Sequence, residues 1–226
     1  TKMFGAPIKR REDPRLVTGG GRYLDDLGHT AYEAAFVRSP HAHARIVDID
    51  VTDALETPGL VGIWTHEDLD GPVGENLPLL IPHPALIAPA TGFALAKDEV
   101  NHVGEAIVLV VAENRYAAED AAARIRVDYD FLPVVVGLET ARTAANLVHD
   151  HAPGNISAHL LQEVGDVETA MAGAPHRLSL DLAIERSACM PMEGKGVYAR
   201  WDTDAEHLTL WSSTQTSTGV RAAVAA

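Results

Sequence analysis

Residues 101–133 constrain the fold more than any other stretch. They hold an unbroken apolar run at 106–112 (AIVLVVA), an alanine-rich segment at 115–123 and a return to alternation at 126–129, closed by Leu132 and Pro133. A short, largely β-branched run with polar flanks predicts a strand covered on both faces. Tyr116, Ala117, Ala121 and Ile125 recur at helical spacing, so 115–123 reads as a helix. Strand, helix and strand then follow within about thirty residues, and parallel strands joined this way need a right-handed crossover.

Around this unit the pattern is mixed α/β. Residues 1–30 are rich in Arg, Asp and Gly and read as an irregular arm. Strands are predicted at 33–39 and 45–51, joined by a turn at 40–43, and again at 60–64. A short helix at 52–57 would be capped by Thr52 or Asp53 and stopped by Pro58 and Gly59. From 70 to 96 the chain is dense in proline (Pro72, Pro78, Pro82, Pro84, Pro89) and reads as one long loop, the kind that carries function or covers an interface. A second region follows 137–146. Asp166 is placed to cap a helix at 167–172 that ends at Gly173. Leu178, Leu180, Leu182 and Ile184 alternate with polar residues and predict a half-buried strand at 176–186. Residues 196–201 and 207–212 form a hairpin across 202–206, and an alanine-rich helix starts at 218. That helix ends in an uncapped Ala-Val-Ala-Ala run, from which the chain is expected to be a fragment or one piece of a split polypeptide.

A chain of 226 residues with 46% hydrophobic and 22% charged residues has the composition of a folded globular protein. Its net charge of −14, from 32 acidic and 18 basic side chains, argues against a nucleic-acid surface, where phosphates demand clustered cations. The single cysteine, Cys189, rules out an internal disulfide. Apolar runs are too short to span a bilayer, and the N-terminus has no signal-peptide core. The default compartment is the cytoplasm, with export alongside a signal-bearing partner as the alternative.

Several clusters invite chemistry. Thr18 and Gly19–Gly21 suggest a phosphate cradle, but an extended acidic run follows where a helix N-terminus would be needed, so they read as a tight turn. His41 and His43 could face one ion, yet no third ligand stands at useful spacing, and a structural role is expected. His149 and His151, in a polar loop, are read the same way. Ser212 and Ser213 lack the glycines of a nucleophile elbow and read as hydroxyls on a strand edge. Cys189, among Ala188, Met190 and Met192, is expected to be buried and inert rather than reactive. Glu193 should be partly buried and in need of a salt bridge or a backbone hydrogen bond. Gln215 sits where a strand ends and a helix starts. Its amide could brace the loop or contact a ligand.

Five groups of residues, in order along nearly the whole chain, resemble one family. Arg11-Glu12-Asp13-Pro14-Arg15-Leu16-Val17-Thr18-Gly19 through Tyr23-Leu24-Asp25-Asp26 is similar to its opening arm. Phe36-Val37-Arg38-Ser39-Pro40-His41-Ala42-His43-Ala44 is similar to its first hairpin. Gly104-Glu105, Ala117, Asp120-Ala121, Val127, Tyr129 and Leu132-Pro133 follow its α/β hammerhead domain. Met192-Glu193-Gly194 and Trp211-Ser212-Ser213-Thr214-Gln215 resemble the start of its molybdopterin-binding domain. The family is that of the molybdenum hydroxylases: xanthine dehydrogenase, aldehyde oxidase and carbon monoxide dehydrogenase.

The resemblance implies an arm at 1–30, a hammerhead domain at 31–140 and the opening of a molybdopterin-binding domain at 141–226. It implies part of an enzyme that hydroxylates a carbon centre of an aldehyde or N-heterocycle, or oxidises carbon monoxide. Electrons would pass to iron–sulfur and FAD partner subunits, and the rest of the molybdopterin-binding subunit would be a further partner. Gln215 matches the family glutamine that hydrogen-bonds an oxygen ligand of molybdenum, so it is the one cofactor-binding residue expected here. No catalytic residue or metal ligand is expected in this segment: the family's glycine-rich cofactor loop and glutamate base lie further along, and Cys189 does not match its substrate-activating cysteine. The alternative reading is a scaffold that keeps the hammerhead fold without cofactor.

Overall fold

The computed structural model describes residues 4–27, 32–79, 81–184 and 187–225. Two units are distinguished: Thr1–Thr30 with Asp181–Ala222, and Ala31–Leu180 with Ala223–Ala226.

In the larger unit the apolar run is strand β5 (Ala106–Ala112), the centre of an antiparallel sheet between β1 (Glu33–Arg38) and β3 (Leu60–Trp64). Its Ile107, Val108 and Val110 are fully buried, as an unbroken apolar strand demands. A second antiparallel sheet places β2 (Ala44–Asp50) between β4 (Glu99–Val100) and β6 (Arg126–Phe131). Helix α2 (Arg115–Arg124) joins β5 to β6 and packs on β1 and β5. Asn114 caps it by accepting from the Ala117 amide at 3.0 Å. Ala44, Ala54, Val100, Ile107, Val110 and Ala121 form one core cluster with Ile125.

This topology corrects three sequence-based expectations. The strands flanking α2 lie in different sheets, so there is no parallel crossover. The strands flanking 39–43 are not a hairpin either. The β1 ladder to β5 runs on into the turn, where Ser39 N–H donates to Glu105 O (2.9 Å) and Gly104 N–H donates to Ser39 O (2.8 Å). With its backbone groups already paired to the β5 side, the chain leaves the first sheet and enters the second as β2. On α2, small alanines fill the interface: Ala117, Ala118 and Ala121 are buried while Tyr116 points outward.

Thr52–Ala54 is a single 3-10 turn, its first amide held by Asp50 instead of by a cap at Thr52 or Asp53. The long loop folds back on itself, with Leu77 N–H donating to Gly92 O at 2.9 Å, and meets 157–159 through an isolated bridge between Leu86 and Ala158. Residues 137–146 contain a helix that the sequence reading passed over, α3 (Leu138–Thr143), entered through Gly137. Helix α4 (Val167–Gly173) forms as expected, and Asp166 Oδ1 accepts from the Thr169 amide at 2.9 Å.

The predicted strand at 176–186 is absent among the described residues. Residues 176–184 lie outside any helix or strand, with Leu178 and Ile184 89% and 95% exposed; Glu185 and Arg186 lie outside the described residues. Alternation marks a face but supplies no neighbour, and no described strand pairs with this one.

The smaller unit contains helix α1 (Asp13–Val17), the hairpin of β7 (Val197–Asp202) and β8 (His207–Ser212), and most of α5 (Ser217–Val224). The glycines after Thr18 terminate α1. Gly19 takes φ +76°, its N–H donates to Leu16 O (3.2 Å), and Gly20 N–H donates to Arg15 O (2.8 Å). That is a Schellman ending, which needs a residue tolerant of the left-handed region.

Candidate functional site

The β7–β8 hairpin sets the geometry around Gln215. Its register pairs Val197 with Ser212 through to Asp202 with His207. Tyr198 and Trp211, directly opposed, bring their ring centroids to 5.1 Å. One step beyond Ser212 the pairing continues, with Ser213 N–H donating to Gly196 O at 3.2 Å.

The Ser213 hydroxyl reaches back across the pair. It accepts from Gly196 N–H at 2.8 Å and lies 3.1 Å from Gly194 O and 3.3 Å from Gly196 O, to either of which it can donate. The exit of β8 is thereby tied to the turn after Met192-Glu193-Gly194. On the other side of Gln215, Thr214 Oγ1 accepts from Thr216 N–H at 3.1 Å. Thr216 O then accepts from Val220 N–H at 3.0 Å as α5 begins. Gln215 is exposed on this braced turn, and no hydrogen bond among the described residues engages its amide.

Glu193 is half-buried, and its Oε1 accepts from Leu24 N–H at 2.7 Å. The expected partner is thus a backbone amide of the arm. Cys189 is exposed, against the expectation of burial: its neighbours Met190 and Met192 are 89% and 92% exposed and provide no cover. The hydroxyls at 212–213 do sit at the strand end, but sequence reasoning missed the brace made by Ser213. The signal was available, because extending the hairpin register by one residue sets Ser213 opposite Gly196.

The two histidine pairs, His41 with His43 and His149 with His151, belong to the larger unit. His43 is buried; its Nδ1 donates to Pro133 O at 2.9 Å and its Nε2 lies 4.0 Å from Glu99. His41 stands nearly perpendicular to the rings of Tyr129 and Phe131, at centroid distances of 4.7 and 4.8 Å. Both hold the entry to β2 against β6. Burial pushes the Tyr129 phenol above its ordinary pKa, against a hydrogen bond with Ser39. His149 and His151 stack at 5.4 Å. Desolvation and then His151 hold the His149 pKa below its ordinary value, with Glu105 and Glu99 opposing and His43 adding to the depression.

The larger unit is thus a mixed body of antiparallel sheets and helices, and the smaller unit carries a hairpin that ends on a braced turn. Residues 18–133 match the family described as "Aldehyde oxidase and xanthine dehydrogenase, a/b hammerhead domain", and residues 148–226 match "Molybdopterin cofactor-binding domain". The chain belongs to this aldehyde oxidase and xanthine dehydrogenase family. It is 37% identical to the nicotine 6-hydroxylase large subunit of Paenarthrobacter nicotinovorans, over 94% of this chain and 26% of that protein. It is 30% identical to the carbon monoxide dehydrogenase large chain of Hydrogenophaga pseudoflava, over 95% of this chain and 28% of that one. Among solved structures, quinoline 2-oxidoreductase from Pseudomonas putida 86 superposes with a TM-score of 0.78 at 34% identity, over 96% of this chain and 28% of that one. The chain therefore spans about a quarter of the length of each of these relatives.

Proposed function

We propose that this chain works within the molybdenum-cofactor subunit of an oxidoreductase that hydroxylates a carbon centre of an aldehyde or N-heterocycle or oxidises carbon monoxide. Its division would be an arm at 1–30, a hammerhead domain at 31–140 and the start of the cofactor domain at 141–226. The single observation that carries this reading is the match of 148–226 to the molybdopterin cofactor-binding domain. Gln215 fits a role toward that cofactor: its amide is exposed, carries two donors and a carbonyl acceptor, and is hydrogen-bonded by no neighbour among the described residues. It would hold an oxygen ligand of molybdenum, while the cofactor would supply the redox chemistry.

Partners in this reading are the rest of the molybdopterin-binding subunit, an iron–sulfur subunit, an FAD subunit and a small-molecule substrate. The related proteins are named a large subunit, a large chain and a complex subunit gamma, which supports assembly with others. No helix among the described residues is long and apolar enough to cross a membrane. We propose the cytoplasm as the enzyme's compartment, with export alongside a signal-bearing partner as the alternative. The scaffold alternative is not favoured, because the similarity extends through the cofactor-binding region.

The test is Gln215→Ala in the full-length assembled enzyme. Turnover should fall about 10- to 100-fold with molybdenum content unchanged, as for removal of an outer-shell partner. Unchanged turnover removes the role of Gln215. An assembled enzyme without molybdenum removes the functional reading itself.

A further inference from the structure

We propose that Ser213 is a positioning residue, whose hydroxyl sets the direction in which the Gln215 amide is presented. The inference rests on the reading of Gln215 given above. A serine hydroxyl has one donor and two acceptor positions. Here it accepts from Gly196 N–H and can donate to either Gly194 O or Gly196 O. These contacts tie the chain two residues before Gln215 to the turn that follows Glu193. The Thr214 hydroxyl holding Thr216 N–H fixes it on the other side.

The backbone on both sides of Gln215 is thus held while its side chain stays free. Bracing of this kind restricts where a short amide side chain can reach. Gly196 lies close against the arm, where a Cβ would stand 2.7 Å from Leu24 Cδ1. Ser213 therefore links Gln215 to the 194–196 backbone.

The experiment compares Ser213→Ala, Ser213→Thr, Gln215→Ala and the Ser213→Ala/Gln215→Ala double variant in the full-length assembled enzyme. The readouts are molybdenum content, kcat, KM and the electron paramagnetic resonance signal of the molybdenum centre. Ser213→Ala should keep its molybdenum, lower kcat about tenfold with KM unchanged, and shift the resonance in the same sense as Gln215→Ala. The double variant should be no worse than Gln215→Ala alone, since the two residues act as one unit. Ser213→Thr, which keeps the hydroxyl, should restore the resonance. A wild-type resonance and kcat in Ser213→Ala, beside an altered Gln215→Ala, would overturn the inference and leave Gln215 standing. Loss of molybdenum or of assembly in Ser213→Ala would also overturn it, assigning the hydroxyl to the fold. Additive effects would separate the two residues. An unaltered Gln215→Ala would remove the underlying reading and this inference with it.

Discussion

The Leu24 backbone N–H donates to Glu193 Oε1 at 2.7 Å, joining residues 169 apart in sequence. Helix α1 has no buried residue, and Phe4 and Val17 are 103% and 82% exposed. A carboxylate accepting from an amide is among the stronger hydrogen bonds, and this one is half-buried.

Glu193→Ala should therefore destabilise the arm by about 0.5–1.5 kcal/mol, because the half-buried Leu24 amide loses its partner while keeping some access to water. Glu193→Gln keeps an acceptor oxygen and should lose less. Hydrogen exchange at the Leu24 amide reads both. Equal protection in the wild type and Glu193→Ala would show that the contact contributes nothing.

Asn155 is held in the left-handed region at φ +56° by its own side chain. Its Oδ1 accepts from Val148 N–H at 2.8 Å, and its Nδ2 donates to Ala141 O and Asn146 O at 3.0 Å each. Asn155→Ala loses these bonds and keeps the strained backbone. Asn155→Gly loses the bonds but relieves the strain, by about 1 kcal/mol. Denaturant unfolding should rank them wild type, glycine, alanine in falling stability. An alanine variant as stable as the glycine one would contradict the strain argument.

What the sequence made legible was whatever depends on near neighbours. The apolar run at 106–112, the Asp166 cap and the β7–β8 hairpin are local patterns with local causes, and each forms. The pairing of β1 with β5 instead of β2 was hidden, because a five-residue turn is compatible with a hairpin and only the Ser39–Glu105 and Gly104–Ser39 bonds decide otherwise. The 176–184 segment failed for the converse reason, since alternation cannot announce whether a partner strand is present. At the candidate site, the place of Gln215 between β8 and α5 was legible from the strand-to-helix pattern, and Glu193 from its setting. The Ser213 brace emerges only once the hairpin register is carried past the end of β8.

The core offers a direct comparison. Ile107 is fully buried in the cluster with Val100, Val110 and Ala121, whereas Tyr116 on α2 is 79% exposed. Ile107→Ala should cost about 2–5 kcal/mol and Ile107→Val about 0.5–1.5. Tyr116→Ala should stay within about 0.5 kcal/mol, as expected for a surface site. Thermal unfolding of the three variants checks the ranking. A large loss at Tyr116 would mean that its helical spacing marks a buried face after all.

The stacked pair of His149 and His151 gives the larger unit an acid-sensitive element. Desolvation, His151 and His43 depress the His149 pKa, while Glu105 and Glu99 pull it up without prevailing. The unfolded chain takes up the proton near the ordinary value of 6.5, before the folded chain does. The contribution to stability is therefore complete above that pH and is lost as pH falls through the depressed folded value. The same loop is closed by Ala152 N–H donating to His149 O at 2.9 Å, with Ala152 buried. Acidification below about pH 6.5 should lower the melting temperature and speed exchange at the Ala152 amide beyond the intrinsic pH effect. His149→Gln should flatten both dependences, and Glu99→Gln should steepen them by removing a group that favours the imidazolium. A melting temperature equally pH-dependent in His149→Gln would place the acid sensitivity elsewhere.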